Sequence, residues 1–280
     1  MNARRRFCQN RAAVVGLLIV CTFASIGIVA PLATTHDPEQ MRLDQKLLEP
    51  SPAHLLGTDH LGRDILARLA YGARLSLVMC FAAVAVGVLI GVPLGAISGF
   101  YGGWLDLIIQ RVIDVLLSFP GFLLALALVA VLGVGSVNVV FAVGLGVVPA
   151  CVRLVRASTL SIRSREYVEA ARAAGAGGAT IIWRHVLPNA LAPVVIQATL
   201  GLGATLLTAA GLGFLGLGVQ QPTPEWGSML GEGRSYIFSN PNLATFPGIA
   251  IFLTVLGFNL AGDGLRDALD PTLSQSSRTA

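Results

Sequence analysis

The chain has 280 residues, of which 54% are hydrophobic and only 12% charged. A soluble domain carries about 25% charged residues, so this chain cannot coat its own surface against water, and lipid is its expected solvent. The composition also excludes a disordered chain, a coiled coil and a disulfide scaffold. The net charge of +4 comes from basic residues spaced between apolar runs, a pattern of membrane topology signals and not of a nucleic-acid patch.

Six spans are predicted, since each requires about 20 apolar residues. The first covers 12–33 and follows Arg4, Arg5, Arg6 and Arg11. It exceeds the apolar core of a cleaved signal peptide, about 7–15 residues, so a retained anchor is expected. The second lies within the uncharged run 75–105, with its helix over 75–99. The third begins at Asp106 and continues to Leu132, and Gly133, Gly135, Ser136 and Asn138 mark a turn after it. The fourth is placed at 139–155, the fifth at 194–218 and the sixth at 245–262. The reading is an all-α, polytopic membrane helical bundle, divided into 1–74 (tail, first span and loop) and a core over 75–280.

Several residue patterns bear on packing. Gly87, Gly91, Gly95 and Gly99 recur every fourth residue and share one helix face. In lipid such a stripe lets backbones approach, either as static packing or as a contact that slides. Pro93, Pro120 and Pro149 interrupt apolar runs and remove backbone donors. Cys21, Cys80 and Cys151 lie in apolar runs and, with Cys8, follow no metal-ligand spacing, so they read as small hydrophobes.

Six spans put both termini on one side. With that side inside, the inner segments hold Arg4, Arg5, Arg6, Arg11, Arg153, Arg156, Arg163, Arg165, Arg172, Arg184, Arg266 and Arg278. The outer segments hold Arg42, Lys46, Arg63, Arg68, Arg74 and Arg234. The bias favours both termini in the cytoplasm.

Catalytic chemistry is sparse. Lys46 is the only lysine and lies between Gln45 and Leu47, so no P-loop can form. Gly211, Gly213, Gly216 and Gly218 lack the βαβ setting of a dinucleotide site and read as packing glycines. Asp59, His60 and Asp64 are either part of a metal site or a solvated loop. No catalytic, cofactor or metal residue is assigned. Ion-coupled carriers place acids inside the membrane. Here Asp106, Arg111 and Asp114 cluster near one helix end, where Arg111 and Asp114, three apart, are expected to neutralise each other. Transport would therefore draw on a partner or on an ion gradient.

The segment 163–193 is amphipathic and not lipid-soluble. Ser164 is positioned to cap a helix, Glu166 suits its positive end, and the following alanines propagate it. Gly175 is placed to stop the helix in the left-handed conformation. After Gly177 and Gly178 a second short helix is expected over 179–186, ended by Pro188. Two short helices around a glycine corner make a knob, either a docking surface or a loop packed on its own bundle.

Glu169-Ala170-Ala171, then Gly175, with Leu187-Pro188 downstream, resembles the EAA loop of ABC importer permeases. His185 stands where that family's consensus has Ile, and Arg184-His185-Val186-Leu187-Pro188-Asn189 resembles the peptide and nickel branch. Further blocks resemble that branch. They are Leu56-Gly57-Thr58-Asp59, Gly62-Arg63-Asp64, Tyr71-Gly72-Ala73-Arg74-Leu75-Ser76-Leu77, Phe214-Leu215-Gly216-Leu217-Gly218, Pro222-Thr223-Pro224-Glu225-Trp226-Gly227, and 262–271. Ala67 and Gly213 depart from it at positions where Ser is common.

The resemblance implies a permease subunit, not an enzyme, in a bacterial inner-membrane importer of dipeptides or oligopeptides. Nickel chelates and glutathione are alternatives within the branch. A secondary carrier and a membrane-embedded assembly subunit are rivals outside it. It implies a second homologous permease, two ABC ATPases that bind ATP and Mg, an extracytoplasmic solute-binding protein and surrounding lipid. Glu166, Glu169, Ala170, Ala171, Gly175, His185, Leu187 and Pro188 would form a cytoplasmic coupling helix and its continuation, in a loop over about 156–190. Gly57, Asp59, Gly62, Arg63 and Asp64 would form an outer-side helix entering the core. Trp226 and Gly227 would lie on an outer loop facing the binding protein or capping the pore.

Overall fold

The computed structural model describes residues 3–269, and these form helices joined by loops, with no strand among the described residues. The expected features at Asp270, Pro271 and Arg278 lie outside the described residues. Helix α1 (Ala3–Gln9) leads into α2 (Arg11–Ala33). After a loop come α3 (Ile65–Tyr101), α4 (Gly103–Leu117), α5 (Gly121–Leu132) and α6 (Ser136–Arg163). Helices α7 (Glu166–Ala173) and α8 (Gly178–Ile181) precede a π-helical turn at Ile182–Val186, which runs into α9 (Leu187–Phe214). The chain then forms α10 (Trp226–Gly233) and α11 (Asn242–Leu269).

Five helices are long and apolar enough to cross a membrane: α2, α3, α6, α8–α9 as one continuous rod, and α11. The expected third span is instead a broken pair, α4 and α5, bent by 93°. The break has a local cause. Ser118 ends α4, its N–H and hydroxyl both turned back on Val115 O. Pro120 then offers no N–H to continue the ladder. Counted as one span, the pair makes the sixth.

Helix α3 begins ten residues earlier than the hydropathy pattern predicts, because Asp64 caps it, with Oδ1 accepting from Ala67 N at 2.7 Å. Arg68 sits inside this first part yet is buried, for reasons given below. The glycine stripe is a zipper between the parallel helices α3 and α6. Gly87 faces Val147, Gly91 faces Cys151, Gly95 faces Val152 and Val155, and Gly99 faces Arg156 and Thr159. A Cβ at Gly95 would stand 2.7 Å from Val152 O, so the two backbones touch only because side chains are absent. Cys80 and Cys151 are buried free thiols, while Cys8 and Cys21 are exposed.

The connectivity divides the bundle into two ends. Loops 34–64 and 215–241 share one end. The knob of α7 and α8 projects from the other, where Asn10 Nδ2 meets Asp267 Oδ2 at 3.4 Å. The chain's beginning and the end of α11 therefore lie on the knob's side of the bundle.

Candidate functional site

The knob is built on a small core. Val168 of α7, Ile162 of α6, Ile181 of α8 and Val186 of the π turn are buried together, with Phe100 packed against them. Phe100 lies at the end of α3 and receives the knob from several sides. The Arg172 guanidinium sits 5.3 Å from its ring centroid. Arg163 Nη1 donates to Gly99 O and Phe100 O at 3.1 and 3.2 Å, satisfying carbonyls that the end of α3 leaves open. Neither Phe100 nor Arg163 stands out in the sequence, because only the fold brings α3 beneath α7.

Gly175 ends α7 at φ +85°. Its N–H bonds Arg172 O at 2.9 Å and Ala176 N bonds Ala171 O at 3.0 Å. These are the two reversed bonds of a Schellman motif, as the glycine predicts. No atom lies within 4 Å of a Cβ built there, so backbone angle and not space requires glycine.

Two local expectations fail. Ser164 does not cap α7. Its hydroxyl turns back to Ser161 O, and Arg165 takes the N-cap position without a side-chain bond. Pro188 does not end the second helix, but occupies the first turn of α9, where a missing N–H costs little. The π turn absorbs the register change between α8 and α9.

Glu166, Glu169, Ala170 and Gly175 are exposed, Ala171 is half-buried, and the five occupy one small protrusion. The His185 ring lies 5.9 Å from Tyr167. Asn189 Nδ2 donates to His185 O at 2.6 Å, and Leu187 packs beneath with Phe100. With Trp183 73% exposed nearby, the knob presents a mixed polar and aromatic face on a rigid base.

At the opposite end, Gly57, Asp59, Gly62, Arg63 and Asp64 form a tight turn, not the helix expected. Gly57 and Gly62 have φ of +84° and +75°, which helix excludes. Nor is this a solvated loop: Asp59, Arg63, Asp64 and Arg68 are all buried. Arg63 Nε bonds Asp59 Oδ2 at 2.5 Å, and its Nη2 bonds Glu232 Oε2 of α10 at 2.7 Å. Arg68 Nη1 donates to Pro38 O and Pro222 O at 3.1 and 3.0 Å. Two guanidiniums thus neutralise two carboxylates and clasp the loops 34–64 and 215–241, with α10, to the start of α3. Asp59, His60 and Glu232 approach one another closely enough to suggest a metal site. The guanidiniums already hold both carboxylates, and their positive charge repels a cation, so these residues do not fit a metal.

Trp226 is fully buried and not on a loop surface. Its Nε1 donates to Leu69 O at 3.0 Å, and its ring meets Phe23 edge-on at 5.4 Å. Glu225 caps α10, accepting from Gly227 N at 2.8 Å, Ser228 N at 2.9 Å and Ser76 Oγ at 3.0 Å. Burial pushes the Glu225 carboxyl above the ordinary range, and these donors pull it partly back. Gly227 packs against the Ala210 backbone of α9. At position 213, a Cβ would stand 2.5 Å from Glu225 Oε2, so the small residue follows from this buried acid.

The charged residues near the knob pair differently from expectation. Asp114 bonds Arg153 Nη2 of α6 at 2.9 Å, not Arg111. Asp106 takes both Arg156 Nε and Nη2 at 2.6 Å and also accepts from Ser98. These pairs tie α4 to α6.

Residues 91–275 match the family of binding-protein-dependent transport system inner membrane components, and residues 1–50 match the N-terminal TM domain of oligopeptide transport permease C. The dipeptide transport system permease protein DppC of Alkalihalophilus pseudofirmus is 48% identical over 97% of this chain and 89% of its own. The glutathione transport system permease protein GsiD of Pectobacterium atrosepticum is 48% identical over 96% of this chain and 90% of its own. An inward-facing structure of the MetNI methionine ABC transporter shares the fold, with TM-score 0.58, 24% identity, and coverage of 72% of this chain and 97% of that one.

Proposed function

Because the chain belongs to the family of binding-protein-dependent transport system inner membrane components, we propose that it moves short peptides as one of two permease subunits of an ABC importer. It is a transport component of the membrane and not an enzyme. The observation that carries the cargo reading is near-full-length identity of 44–48% to several dipeptide permeases. Glutathione, itself a tripeptide, is favoured as a second reading by the 48% identical glutathione permease.

The proposed assembly adds a second homologous permease, two ABC ATPases and an extracytoplasmic binding protein. ATP and Mg bind the ATPases. The knob faces the cytoplasm with both termini, as the arginine bias favours, and the clasp end faces the binding protein. Glu166, Glu169, Ala170 and Gly175 then dock on an ATPase. Closure of the ATPase dimer pushes the knob. The push passes through Phe100 into α3 and through Arg163 into α6, which the glycine zipper makes one rigid pair. Energy enters only as differential affinity of the partners for the two states.

The test is reconstitution of the four-subunit complex in proteoliposomes. ATP hydrolysis should rise when the binding protein arrives loaded with a dipeptide, and labelled dipeptide should accumulate. Hydrolysis stimulated by loaded glutathione-binding protein alone would shift the cargo. Absence of any binding-protein stimulation would overturn the reading.

A further inference from the structure

A cavity of about 690 Å³ opens at the clasp end, between the end of α2, the first half of α3 and the loop at Thr223 and Pro224. That volume suits a small ligand of two or three residues. Its lining is of opposite charges: Arg74 from α3, against Asp37 and Glu39 from the loop after α2. Leu75, Val78 and Pro224 supply apolar wall.

The two signs are held apart by structure. Glu39 Oε1 accepts from Thr223 Oγ1 at 3.0 Å, which fixes the acidic wall to the opposite loop. Asp37 Oδ1 accepts from Glu39 N at 2.9 Å, in a tight local turn. The His36 ring lies tilted 4.7 Å from that of His54, and His54 Nδ1 lies 2.9 Å from Asp64 Oδ2, so the wall is tied to the cap of α3. Arg74 is exposed, and among the described residues no carboxylate lies within 4.0 Å of it. The backbone beneath it is fixed, because Gly27 of α2 packs directly on Arg74 N and Cα.

The cavity also leads somewhere. Arg74, Val78, Ala85, Leu89 and Pro93 lie on one open face of α3. This face runs to a second groove of about 960 Å³ beside the knob, lined by Leu89, Pro93, Trp183 and Leu191 among other apolar residues. Along that face Arg74 is the only charged side chain of α3, since Arg68 is buried in the clasp.

We propose that this cavity is an entry subsite that receives a short zwitterionic peptide, with Arg74 taking its terminal carboxylate and Asp37 and Glu39 its terminal ammonium. This rests on the transport reading above. A dipeptide carries both charges within one small molecule, whatever its side chains, so opposed charges on fixed walls recognise the class and not one sequence. Beyond the cavity the apolar face offers no such partners, so the peptide is held at the entrance.

The test places a thiol in the wall. In the reconstituted four-subunit transporter, Cys8 and Cys21 are changed to alanine and Val78→Cys is introduced. Its reaction with a membrane-impermeant thiol reagent is followed by mass spectrometry. Millimolar alanyl-alanine should slow labelling severalfold, and N-acetyl-alanyl-alanine amide, which lacks both charges, should not. Arg74→Gln should abolish the protection and Arg74→Lys should keep most of it. Equal protection by the blocked peptide, protection surviving Arg74→Gln, or loss of protection in Arg74→Lys matching that in Arg74→Gln would overturn the assignment. So would labelling that responds to anionic lipid content and not to peptide. Binding-protein-stimulated hydrolysis is measured in the same vesicles. Normal stimulation without protection refutes the subsite alone, whereas no stimulation refutes the transport reading.

Discussion

At the clasp end, Arg63 is fully buried and pairs with buried Asp59 and partly buried Glu232, and Trp226 is fully buried at the same end. At the knob end, Arg153 and Asp114 pair with side chains 57% and 51% exposed, and the knob's own core is four aliphatic residues. The same chemical pair therefore does different things at the two ends. Buried charges that hold loops together are costly to unpair, while wet charges can be exchanged cheaply. The clasp end is built to stay put around an entrance. The knob end is built as a firm protrusion whose surface is left for a partner.

The largest effect should come from breaking the clasp. Arg63→Ala removes the nearer guanidinium and leaves Asp59 and Glu232 only the longer contacts of Arg68 at 3.5 and 3.6 Å, and should cost about 3–5 kcal/mol. Thermal unfolding in detergent would read it. A shift no larger than that of an exposed arginine would remove the contrast between the ends.

Next is the shaft that joins them. Gly95→Leu forces a side chain into Val152 and Val155 and should cost about 1–3 kcal/mol by overpacking. Transport should fall with stability, since α3 and α6 can no longer move as one.

Gly175→Val sharpens the comparison because stability and function should part. No neighbour is met at Gly175, so the cost is the strain of φ +85°, about 1–2 kcal/mol and local. Membrane insertion and unfolding temperature should change little, while binding-protein-stimulated ATP hydrolysis is lost. Normal hydrolysis in this variant would refute the lever role of the knob.

The smallest effect belongs to the wet pair. Arg153→Ala should cost about 0–1 kcal/mol, measured in the same unfolding assay. A loss as large as that of Arg63→Ala would show the α4–α6 contact to be a second clasp.

Sequence alone determined five of the six spans and the shared face of the glycine stripe, because lipid imposes a local rule on each segment. A run must be apolar and long, and a backbone contact must be small. The zipper at Gly87 to Gly99 and the stop at Gly175 follow from such rules, as does the exposed stretch with Glu169 and Ala170. The family motifs pointed to the knob as the partners' side of the molecule only by resemblance. The tertiary structure decided what depends on distant neighbours. Arg63 and Arg68 look solvated until Glu232, far along the chain, arrives to pair with them. Trp226 reads as a loop residue until α10 folds inward onto Leu69 and Phe23. Asp114 chose Arg153 over its helical neighbour Arg111 because α6 passes beside α4. A charge or an indole placed in a sequence has no fixed environment, and only the packed chain decides whether it meets water, lipid or an opposite charge.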